Sequence, residues 1–392
     1  MTISQATRDY IRNHQNDDVR ELALKGCQDP DVDFPFALQQ IQGRQKAKEK
    51  LPEMYDTPDI LFPATVSMEQ CSSEATARYK ASLIHGDSFA DLTGGFGMDT
   101  IAFAKHFQQG FYIEPSTELL EVFEHNIHAM GIRNIQIRQG RMEEVLPTLP
   151  EVDLLYLDPS RRDGHGQRVV ALTDCTPNVP EYKDALLGKA RHGVMVKLSP
   201  MLDIKASLQQ LPETREIHVL AVHGECKEIL FLLSHEKAEH IEYHAVNIQG
   251  ENVLDFQFSS QEETEAAPEL ADCVGKYLLE PNAAVMKAGA FKCVATRYGL
   301  RKLHAHSHLY TCDEPVDDFP GRVFTVEKII PFSKKEIKRQ LAGIGKANVA
   351  VRNFPLTADA LRQQLKLGDG GDVYLFGTTL REGEKVVVVT RK

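Results

Sequence analysis

A glycine-rich stretch follows a short apolar strand pattern near residue 90, and its residue types suit the binding of a small ligand. It reads Asp91-Leu92-Thr93-Gly94-Gly95-Phe96-Gly97-Met98-Asp99 and leads into a predicted helix. Glycines allow a sharp turn and a close approach of the backbone to a ligand. In open parallel sheets, ligands bind beyond the carboxyl ends of the strands. The residues that we expect to contact the ligand are Asp91, Thr93, Gly94, Gly95, Gly97 and Asp99.

Two acids distinguish between the ligands that such a loop can hold. Glu114 ends the second predicted strand, 20 residues after Gly94, which is the usual distance for an acid that binds a ribose. The loop alone also half-fits a dinucleotide, but Asp91 would repel a pyrophosphate and would attract an ammonium group. The combination favours S-adenosylmethionine (SAM) as the cofactor. The alternative for Asp91 is that it merely caps the following helix.

The fourth predicted strand ends in a second group of polar residues, Asp158-Pro159-Ser160-Arg161-Arg162. An acid and a proline at this place form the floor of the methyl-transfer site in many methyltransferases of nucleic acids. An aromatic ring that would stack on a base is missing, although an arginine plane can also stack on a base. The alternative is an ordinary turn. The residues that we expect to be catalytic are Asp158, Pro159, Ser160 and Arg161.

Basic residues beside this group indicate an anionic substrate. The adjacent Arg161 and Arg162 could bind phosphate, or they could form a salt bridge with Asp163 or Asp174. Lys197 ends the next strand, where it could neutralise a phosphate or pair with Asp158. That strand ends Lys197-Leu198-Ser199-Pro200 without a cysteine, so carbon-5 pyrimidine methylation through a cysteine nucleophile is not expected.

The composition is that of a soluble globular protein with a net charge of −11 over 392 residues. Seven scattered cysteines indicate a reducing cytoplasm, and the chain has no apolar run that is long enough for a membrane span. Residues 331–366 depart from the acidic average with eight basic and two acidic residues. They form either a polyanion contact or a solvated helix face. The candidate substrate contacts there are Lys334, Lys335, Lys338 and Arg339.

The pattern of elements predicts where these residues lie. Residues 1–60 are polar and helical, and a further helix is predicted over Met68–Ile84. Strands and helices then alternate, which predicts a parallel sheet covered by helices on both faces. The last two strands, Glu216–Val222 and Glu228–Ser234, are joined by too few residues for a parallel crossover and must be antiparallel.

Four regions follow from this pattern: an N-terminal helical region (1–80), an α/β domain that carries the glycine loop (81–236), a linker with the start of a second α/β region (237–320) and a terminal module (321–392). Within the third region, Ser259–Glu269 is predicted to be a polar, acidic linker. A strand is predicted over Leu303–Leu309, where three alternating histidines would share one face. We expect these histidines to lie on a surface strand, and we expect no metal site.

Several motifs together resemble one known family. They are Glu69 to Lys80, Asp91 to Asp99, Asp158 to Arg162, Glu280 to Ala284 and Lys334 to Thr379. The chain resembles bacterial class I SAM-dependent methyltransferases that carry a C-terminal THUMP-like domain. The resemblance covers roughly residues 60–392. It implies a Rossmann-like sheet with an antiparallel last strand and small ferredoxin-like and THUMP-like α+β modules. THUMP domains are associated with structured RNA, often tRNA.

The resemblance also implies roles for single residues. Asp91, Gly94, Gly95 and Gly97 would surround the methionine half of SAM, and Glu114 would hold the ribose. The family usually places an acid at the adenine amine, but here Arg141 stands in that place. Glu143, beside Met142, or a backbone carbonyl would then contact the adenine. Ser72, Ser73 and Arg78 could reach the donor's carboxylate, or they are ordinary helix-face residues.

The predicted function is therefore methyl transfer from SAM, directly and without a cysteine nucleophile, to tRNA or rRNA in the cytoplasm. Two alternatives stay open from the sequence. One is a non-catalytic RNA-binding protein that retains the fold. The other is a methyltransferase whose substrate is a small molecule or a protein, with the basic segment incidental.

Overall fold

The computed structural model describes residues 3–160 and 171–392. Contacts within the chain divide it into two units. The first contains Met1–Arg215 and Ile229–Ala238, and the second contains Glu216–Glu228 and Glu239–Lys392. Within the described residues, no helix is both long and apolar enough to cross a lipid bilayer.

Six helices occupy residues 3–87, in agreement with the predicted N-terminal helical region. The single helix predicted over Met68–Ile84 is wrong. Ser73 accepts a hydrogen bond from the Thr76 backbone N–H at 3.2 Å, and this cap starts a second helix after a break. The helices are α1 (Gln5–His14), α2 (Val19–Lys25), α3 (Phe34–Lys50), α4 (Pro52–Asp56), α5 (Thr65–Gln70) and α6 (Glu74–Ala81).

Strands and helices then alternate, as predicted, because apolar runs of strand length are separated by amphipathic helices. Short 3-10 turns lie at Leu146–Thr148 and Leu172–Asp174. The elements in chain order are β1 (Ser88–Asp91), α7 (Met98–Ala104), β2 (Gln109–Glu114), α8 (Thr117–Ala129), β3 (Ile135–Gln139), α9 (Met142–Val145), β4 (Val152–Leu157), α10 (Val179–Leu187), β5 (Ala190–Leu198), α11 (Ile204–Gln210), β6 (Thr214–Val222) and β7 (Glu225–Leu233).

The sheet of the first unit has the strand order β3-β2-β1-β4-β5-β7. The pairs β2–β3, β1–β2, β1–β4 and β4–β5 are parallel. Strand β7 is antiparallel to β5, with Val194 opposite Leu233 and Leu198 opposite Ile229. The predicted parallel sheet with an antiparallel last strand is thus confirmed. Its strand order reverses between β1 and β4, and the carboxyl ends of these two strands carry Asp91 and Asp158.

The N-terminal helices pack on the helix that follows β2. A hydrophobic cluster joins Phe62 and Met68 of the N-terminal region to Phe96, next to the glycines, and to Phe123 of α8. Asn126 of α8 is fully buried and bonds both the N–H and the C=O of Leu61 at 2.8 Å. A buried amide that satisfies both backbone groups fixes this segment beside α8.

The second unit contains a further strand pair, a seven-stranded sheet and short helices. Strand β6 pairs in parallel with β8, and β8 pairs with β9 antiparallel. The elements are β8 (Glu242–Gln249), β9 (Asn252–Ser259), α12 (Ser260–Glu265), β10 (Tyr277–Pro281), α13 (Ala283–Ala288), α14 (Cys293–Arg297), β11 (Arg301–Lys302), β12 (Tyr310–Cys312), β13 (Gly321–Pro331), α15 (Lys334–Gln340), β14 (Asn348–Arg352), α16 (Ala358–Leu365), β15 (Val373–Thr379) and β16 (Lys385–Arg391).

Two local predictions in this unit are wrong. The acidic segment after β9 begins as helix α12 rather than as a linker, because Ser259 caps it and accepts from the Glu262 N–H at 3.0 Å. The segment predicted as the strand Leu303–Leu309 is a series of turns, in which His308 has a left-handed φ of +49°. The alternating histidines therefore do not share one strand face.

One continuous sheet joins the regions predicted as ferredoxin-like and THUMP-like modules. Its strand order is β11-β12-β10-β13-β16-β15-β14, and β10 pairs with β13 along its length. Glu280 of β10 is 2% exposed and forms ion pairs with Arg322 and Arg352. Because one core and one sheet span residues 271–391, removal of residues 321–392 would expose the core of what remains.

Candidate active site

The glycine loop turns tightly between β1 and α7 against two stacked aromatic rings. Tyr112 and Phe123 stack with ring centroids 3.7 Å apart. A Cβ added at Gly94 would lie 2.2 Å from the Tyr112 ring, and one added at Gly97 would lie 2.2 Å from the Phe123 ring. These two positions therefore require glycine for close packing, and Gly97 also requires it for its φ of +85°.

A Gly97→Ala substitution is expected to lower the free energy of unfolding by about 3 kcal/mol or more, because it combines backbone strain with overpacking. Gly131→Ala is the matched control, since Gly131 has a φ of +72° with nothing within 4 Å of an added Cβ. The control should lose only about 1 kcal/mol. Urea denaturation measures both values. Equal losses would show that the ring contact at Gly97 is not a constraint.

Asp91 ends β1 as a fully buried carboxyl that is 1% exposed. It accepts hydrogen bonds from the Thr93 N–H at 3.0 Å and from the Thr100 hydroxyl at 2.6 Å. Burial raises the pKa of Asp91 to about 7, despite the hydrogen bond from Thr100. Both bonds lie within the loop and α7, and neither caps the first turn of α7. A buried carboxyl with a raised pKa is suited to an incoming cation.

Glu114, at the end of β2, is hydrogen-bonded to the glycine loop. Its carboxylate accepts from the Gly95 N–H and from the Ser116 N–H, both at 2.9 Å. Gly95 has a φ of +53°, and its Cβ position meets nothing closer than a backbone oxygen at 3.8 Å. The structure thus brings the predicted ribose acid to an open side of the predicted donor loop.

Asp99 lies at the centre of a buried polar network. It forms an ion pair with Lys80 at 3.0 Å and accepts hydrogen bonds from Ser72 at 2.8 Å and from Tyr156 at 2.6 Å. Burial alone would raise its pKa, but Lys80 and Lys197, with the two hydrogen bonds, hold the pKa of Asp99 below its usual value. Asp99 is therefore ionised and fixes the start of α7.

Asp158 is held from two sides at the end of β4. Its backbone N–H donates to the Thr93 hydroxyl at 2.6 Å, so a side chain of the glycine loop fixes the position of the predicted floor. Its carboxylate forms an ion pair with Lys197, whose Nζ also lies 3.4 Å from the Ser72 hydroxyl. Pairing with Asp158, one of the two interpretations of Lys197, is the contact that the structure shows.

The rest of the Asp-Pro-Ser-Arg-Arg run is described only in part. Pro159 is buried and Ser160 is exposed. The Ser160 N–H donates to the Thr176 carbonyl at 2.7 Å, and the Thr176 N–H donates back at 3.0 Å. Arg161 and Arg162 lie outside the described residues, so their predicted roles stay predictions.

The predicted adenine contacts lie at the start of α9. Met142 is buried at 3% exposure, whereas Glu143 is half-buried. Among residues 3–160 and 171–392, Glu143 forms no hydrogen bond or ion pair, while the neighbouring Glu144 accepts from the Arg141 N–H at 3.1 Å. The carboxylate of Glu143 is therefore available to a ligand.

The buried charged side chains around the glycine loop and the end of β4 lie close enough to affect one another's ionisation. Three buried or half-buried carboxylates (Asp91, Asp99 and Asp158) stand against two buried ammonium groups (Lys80 and Lys197). The charges of Asp99 and Asp158 add to burial in raising the pKa of Asp91. With all five of these side chains ionised, one negative charge is in excess among them. A cationic ligand would balance that charge, and a pyrophosphate would increase it.

The predicted basic contacts of the second unit lie on α15. Lys334, Lys335 and Lys338 are exposed, and none forms an ion pair with any residue that the structure describes. Arg339 is also exposed but pairs with Glu336 on the same helix. Exposed lysines without acidic partners are available for contact with phosphates.

Residues missed at the sequence level complete the site, most of all Lys80 and Tyr156. Lys80 is 0% exposed and lies on the same buried face of α6 as Thr76 and Ala77. A lysine on the core-facing side of a helix was the feature of the sequence that could have indicated a buried ion pair. Two other candidates make local contacts instead. Ser73 caps α6, and Arg78 pairs with Glu74 at 2.6 Å in an exposed position.

Comparisons with known families identify the two C-terminal modules. Residues 277–320 match a family model described as a ferredoxin-like domain, and residues 321–392 match one described as THUMP domain-like. The match to both models agrees with the predicted fold class.

Relatives extend over the whole chain. An "uncharacterized S-adenosylmethionine-dependent methyltransferase" of Mycobacterium tuberculosis is 24% identical over 342 residues, which cover 85% of this chain and 89% of the relative. A crystal structure from Porphyromonas gingivalis W83, classed as a methyltransferase, is 37% identical with a TM-score of 0.89 and covers 99% of this chain and 97% of that one. The protein therefore belongs to the family of that methyltransferase, the class I SAM-dependent methyltransferases with a C-terminal THUMP-like domain.

Proposed function

We propose that this enzyme transfers the methyl group of SAM directly to a base of structured RNA, such as tRNA or rRNA. One observation carries the proposal for the chemistry: the hydrogen bond from the Asp158 N–H to the Thr93 hydroxyl joins the donor loop to the acceptor floor. The loop that would hold the donor and the floor that would hold the acceptor are thereby kept in a fixed position relative to each other. Methyl transfer requires this, because donor and acceptor must meet within a few ångströms.

The charges around the loop support SAM as the occupant of this site. SAM carries an ammonium group, a sulfonium and a carboxylate, so its net positive charge would balance the excess carboxylate. Asp91 would pair with the ammonium group, and the open side of Gly95 would allow the donor to approach the backbone. Glu114 would accept from the ribose hydroxyls, and Glu143 would accept from the adenine amine. Thr93, Gly94, Gly97, Asp99 and Met142 would shape this site.

The proposed chemistry uses the residues at the ends of β4 and β5. SAM, when bound, supplies an electrophilic methyl group. Asp158 would accept a hydrogen bond from the acceptor N–H and would take up its proton as the methyl group is transferred. Burial raises the pKa of Asp158, and Lys197 opposes this rise and holds the carboxylate in place. Pro159 and Ser160 would line the floor, and Arg161 would stack on the base.

A direct transfer requires that no cysteine acts as a nucleophile, and Cys71 is the thiol to test. Burial raises the pKa of the Cys71 thiol and disfavours the thiolate, although the charges of Lys50 and Lys197 oppose the rise. Cys71→Ser is expected to retain methyl transfer within about twofold, because serine preserves the packing without the nucleophile. Incorporation of labelled methyl groups into RNA measures this. A loss of activity in a folded variant would indicate a covalent route instead.

The THUMP-like domain supports RNA as the substrate, because domains of this type are associated with structured RNA and α15 exposes three lysines. Arg162 would contribute a further phosphate contact beside the floor. Point substitutions are the appropriate test, since truncation at residue 321 would disrupt the shared sheet.

A triple Lys334→Glu/Lys335→Glu/Lys338→Glu variant is expected to lower the affinity for a mixed tRNA pool by about tenfold or more and to reduce the salt slope by about 2–3. Lys25→Glu/Lys205→Glu/Lys237→Glu is the matched control, with the same charge change at exposed lysines of the first unit. Filter binding at several salt concentrations measures both. Equal effects in the two variants would assign the binding to net charge alone and would contradict a docking role for α15.

A further inference from the structure

Two histidines and a glutamate meet on one face of the β6–β8 strand pair, a place that neither the donor site nor the THUMP-like domain includes. In the parallel register of this pair, His218 lies opposite His244, and Glu216 lies two residues before His218 on the same face. The two imidazole rings stack with centroids 4.2 Å apart and planes inclined by 10°. His218 is 2% exposed.

The atoms of these residues that could bind a metal ion lie near one another. One nitrogen from each histidine and one carboxylate oxygen of Glu216 all lie within 4.8 Å of one another. The distance between His218 Nε2 and Glu216 Oε2 is 3.3 Å. Two ligand atoms that are each about 2.0–2.1 Å from a tetrahedral ion stand at about this separation. His244 would have to turn out of its stacked position on His218 for its nitrogen to reach the same ion.

A second carboxylate orients one of the two rings. Asp255 of β9 lies 2.8 Å from His244 Nδ1, which leaves Nε2 of His244 as the nitrogen that can face an ion. Gln257 in turn donates to the same Asp255 oxygen at 2.8 Å. A carboxylate bonded to the outer nitrogen of a metal-binding histidine is the usual arrangement in protein metal sites, where it fixes the tautomer and the ring orientation.

We propose that Glu216, His218 and His244 form a binding site for a divalent transition-metal ion of the zinc class, with Asp255 orienting His244. Two imidazoles and one carboxylate are a ligand set that zinc accepts, and the set leaves a fourth coordination position open. The ion would crosslink β6 and β8, and the contact of Asp255 with His244 would connect β9 to the site. This proposal is independent of the proposed RNA methylation.

The test titrates full-length protein, after treatment with a chelator, with Zn²⁺ and Co²⁺ and uses Mg²⁺ as a hard-cation control. We expect one equivalent of Zn²⁺ to bind and to raise the melting temperature, Co²⁺ to give visible absorption typical of a four- or five-coordinate site, and Mg²⁺ to have no effect. His244→Gln should weaken Zn²⁺ binding by about 100-fold, and Asp255→Asn by about 10–100-fold.

His240→Gln is the matched control, because His240 is an exposed histidine beside an acid, Glu239, but outside the cluster. Its Zn²⁺ affinity should equal that of the wild type. Melting of each metal-free variant separates lost binding from lost folding, and Asp255→Asn keeps all three ligands in case His244→Gln does not fold. Absence of a Co²⁺ spectrum in the wild type, or equal Zn²⁺ affinity of Asp255→Asn and the wild type, would overturn the proposal.

Discussion

Asp91→Asn is expected to lose SAM binding and, at the same time, to make the ligand-free protein more stable. The affinity for SAM should fall by about 100-fold or more, because a buried charge pair with the donor's ammonium group would be lost. Calorimetric titration with SAM and with S-adenosylhomocysteine measures this loss. An acid that merely supported the loop would instead destabilise the protein when it is replaced.

The gain in stability follows from the pKa of Asp91. Its folded pKa of about 7 lies above its ordinary value of 3.8, so ionisation of the buried carboxyl costs folded-state stability. That cost is absent below about pH 4, grows between pH 4 and 7, and reaches about 4 kcal/mol above pH 7. Asparagine removes the cost but weakens a hydrogen bond worth about 1–2 kcal/mol. A net gain of about 2 kcal/mol at pH 8, and none at pH 4, is expected in chemical denaturation.

The same pKa makes SAM binding dependent on pH. Since the ammonium group would pair with the ionised carboxyl, the affinity should rise about tenfold per pH unit up to about pH 7 and then level off. Asp91→Asn is the control, because it retains any titration of SAM itself but removes that of the carboxyl. A slope that is the same in wild type and variant would contradict the pairing of Asp91 with the donor.

Asp158→Asn is expected to reduce the rate of methyl transfer by about 100- to 10,000-fold. The change leaves the backbone N–H that bonds Thr93, so the link between loop and floor persists and SAM affinity should change by less than about threefold. Asp174→Asn, at an exposed acid close in sequence, is the matched control and should keep full activity. Single-turnover assays with labelled SAM measure the rate. Full activity of Asp158→Asn would remove this residue from the chemistry.

The ion pair between Asp158 and Lys197 allows catalysis to be separated from folding. Lys197 is 7% exposed, so Asp158→Asn removes the carboxylate that pairs with a buried ammonium group and should lower stability by about 3 kcal/mol. The double variant Asp158→Asn/Lys197→Met should recover most of that stability without recovering activity. Recovery of both would mean that Asp158 acts only by satisfying Lys197.

The sequence predicts those parts of the molecule that depend on local pattern. The glycine loop, Glu114 at its distance of 20 residues and the antiparallel last strand all follow from spacing and loop length, and the structure places them as expected. Each is determined within a few dozen residues, where turn geometry and hydrophobic period act directly.

The network behind the floor could not be predicted, because it assembles side chains that are distant in sequence. Ser72 and Lys197 are 125 residues apart but lie 3.4 Å from each other. The sequence does not distinguish a buried lysine such as Lys80 from an exposed one. Only its burial beside Asp99 in the structure reveals its role. In the same way, the turns at Leu303–Leu309 replace a predicted strand because tertiary context overrides an alternating pattern.

The most direct test of RNA methylation uses RNA from cells that lack the gene. Purified enzyme and labelled SAM are incubated with this RNA and, as a control, with RNA from cells that contain the gene. The proposal predicts label in the first RNA, resolved to one modified nucleoside, and little or none in the second, where the site is already methylated. Label that appears only in protein or small molecules, with none in RNA from the deficient cells, would contradict it.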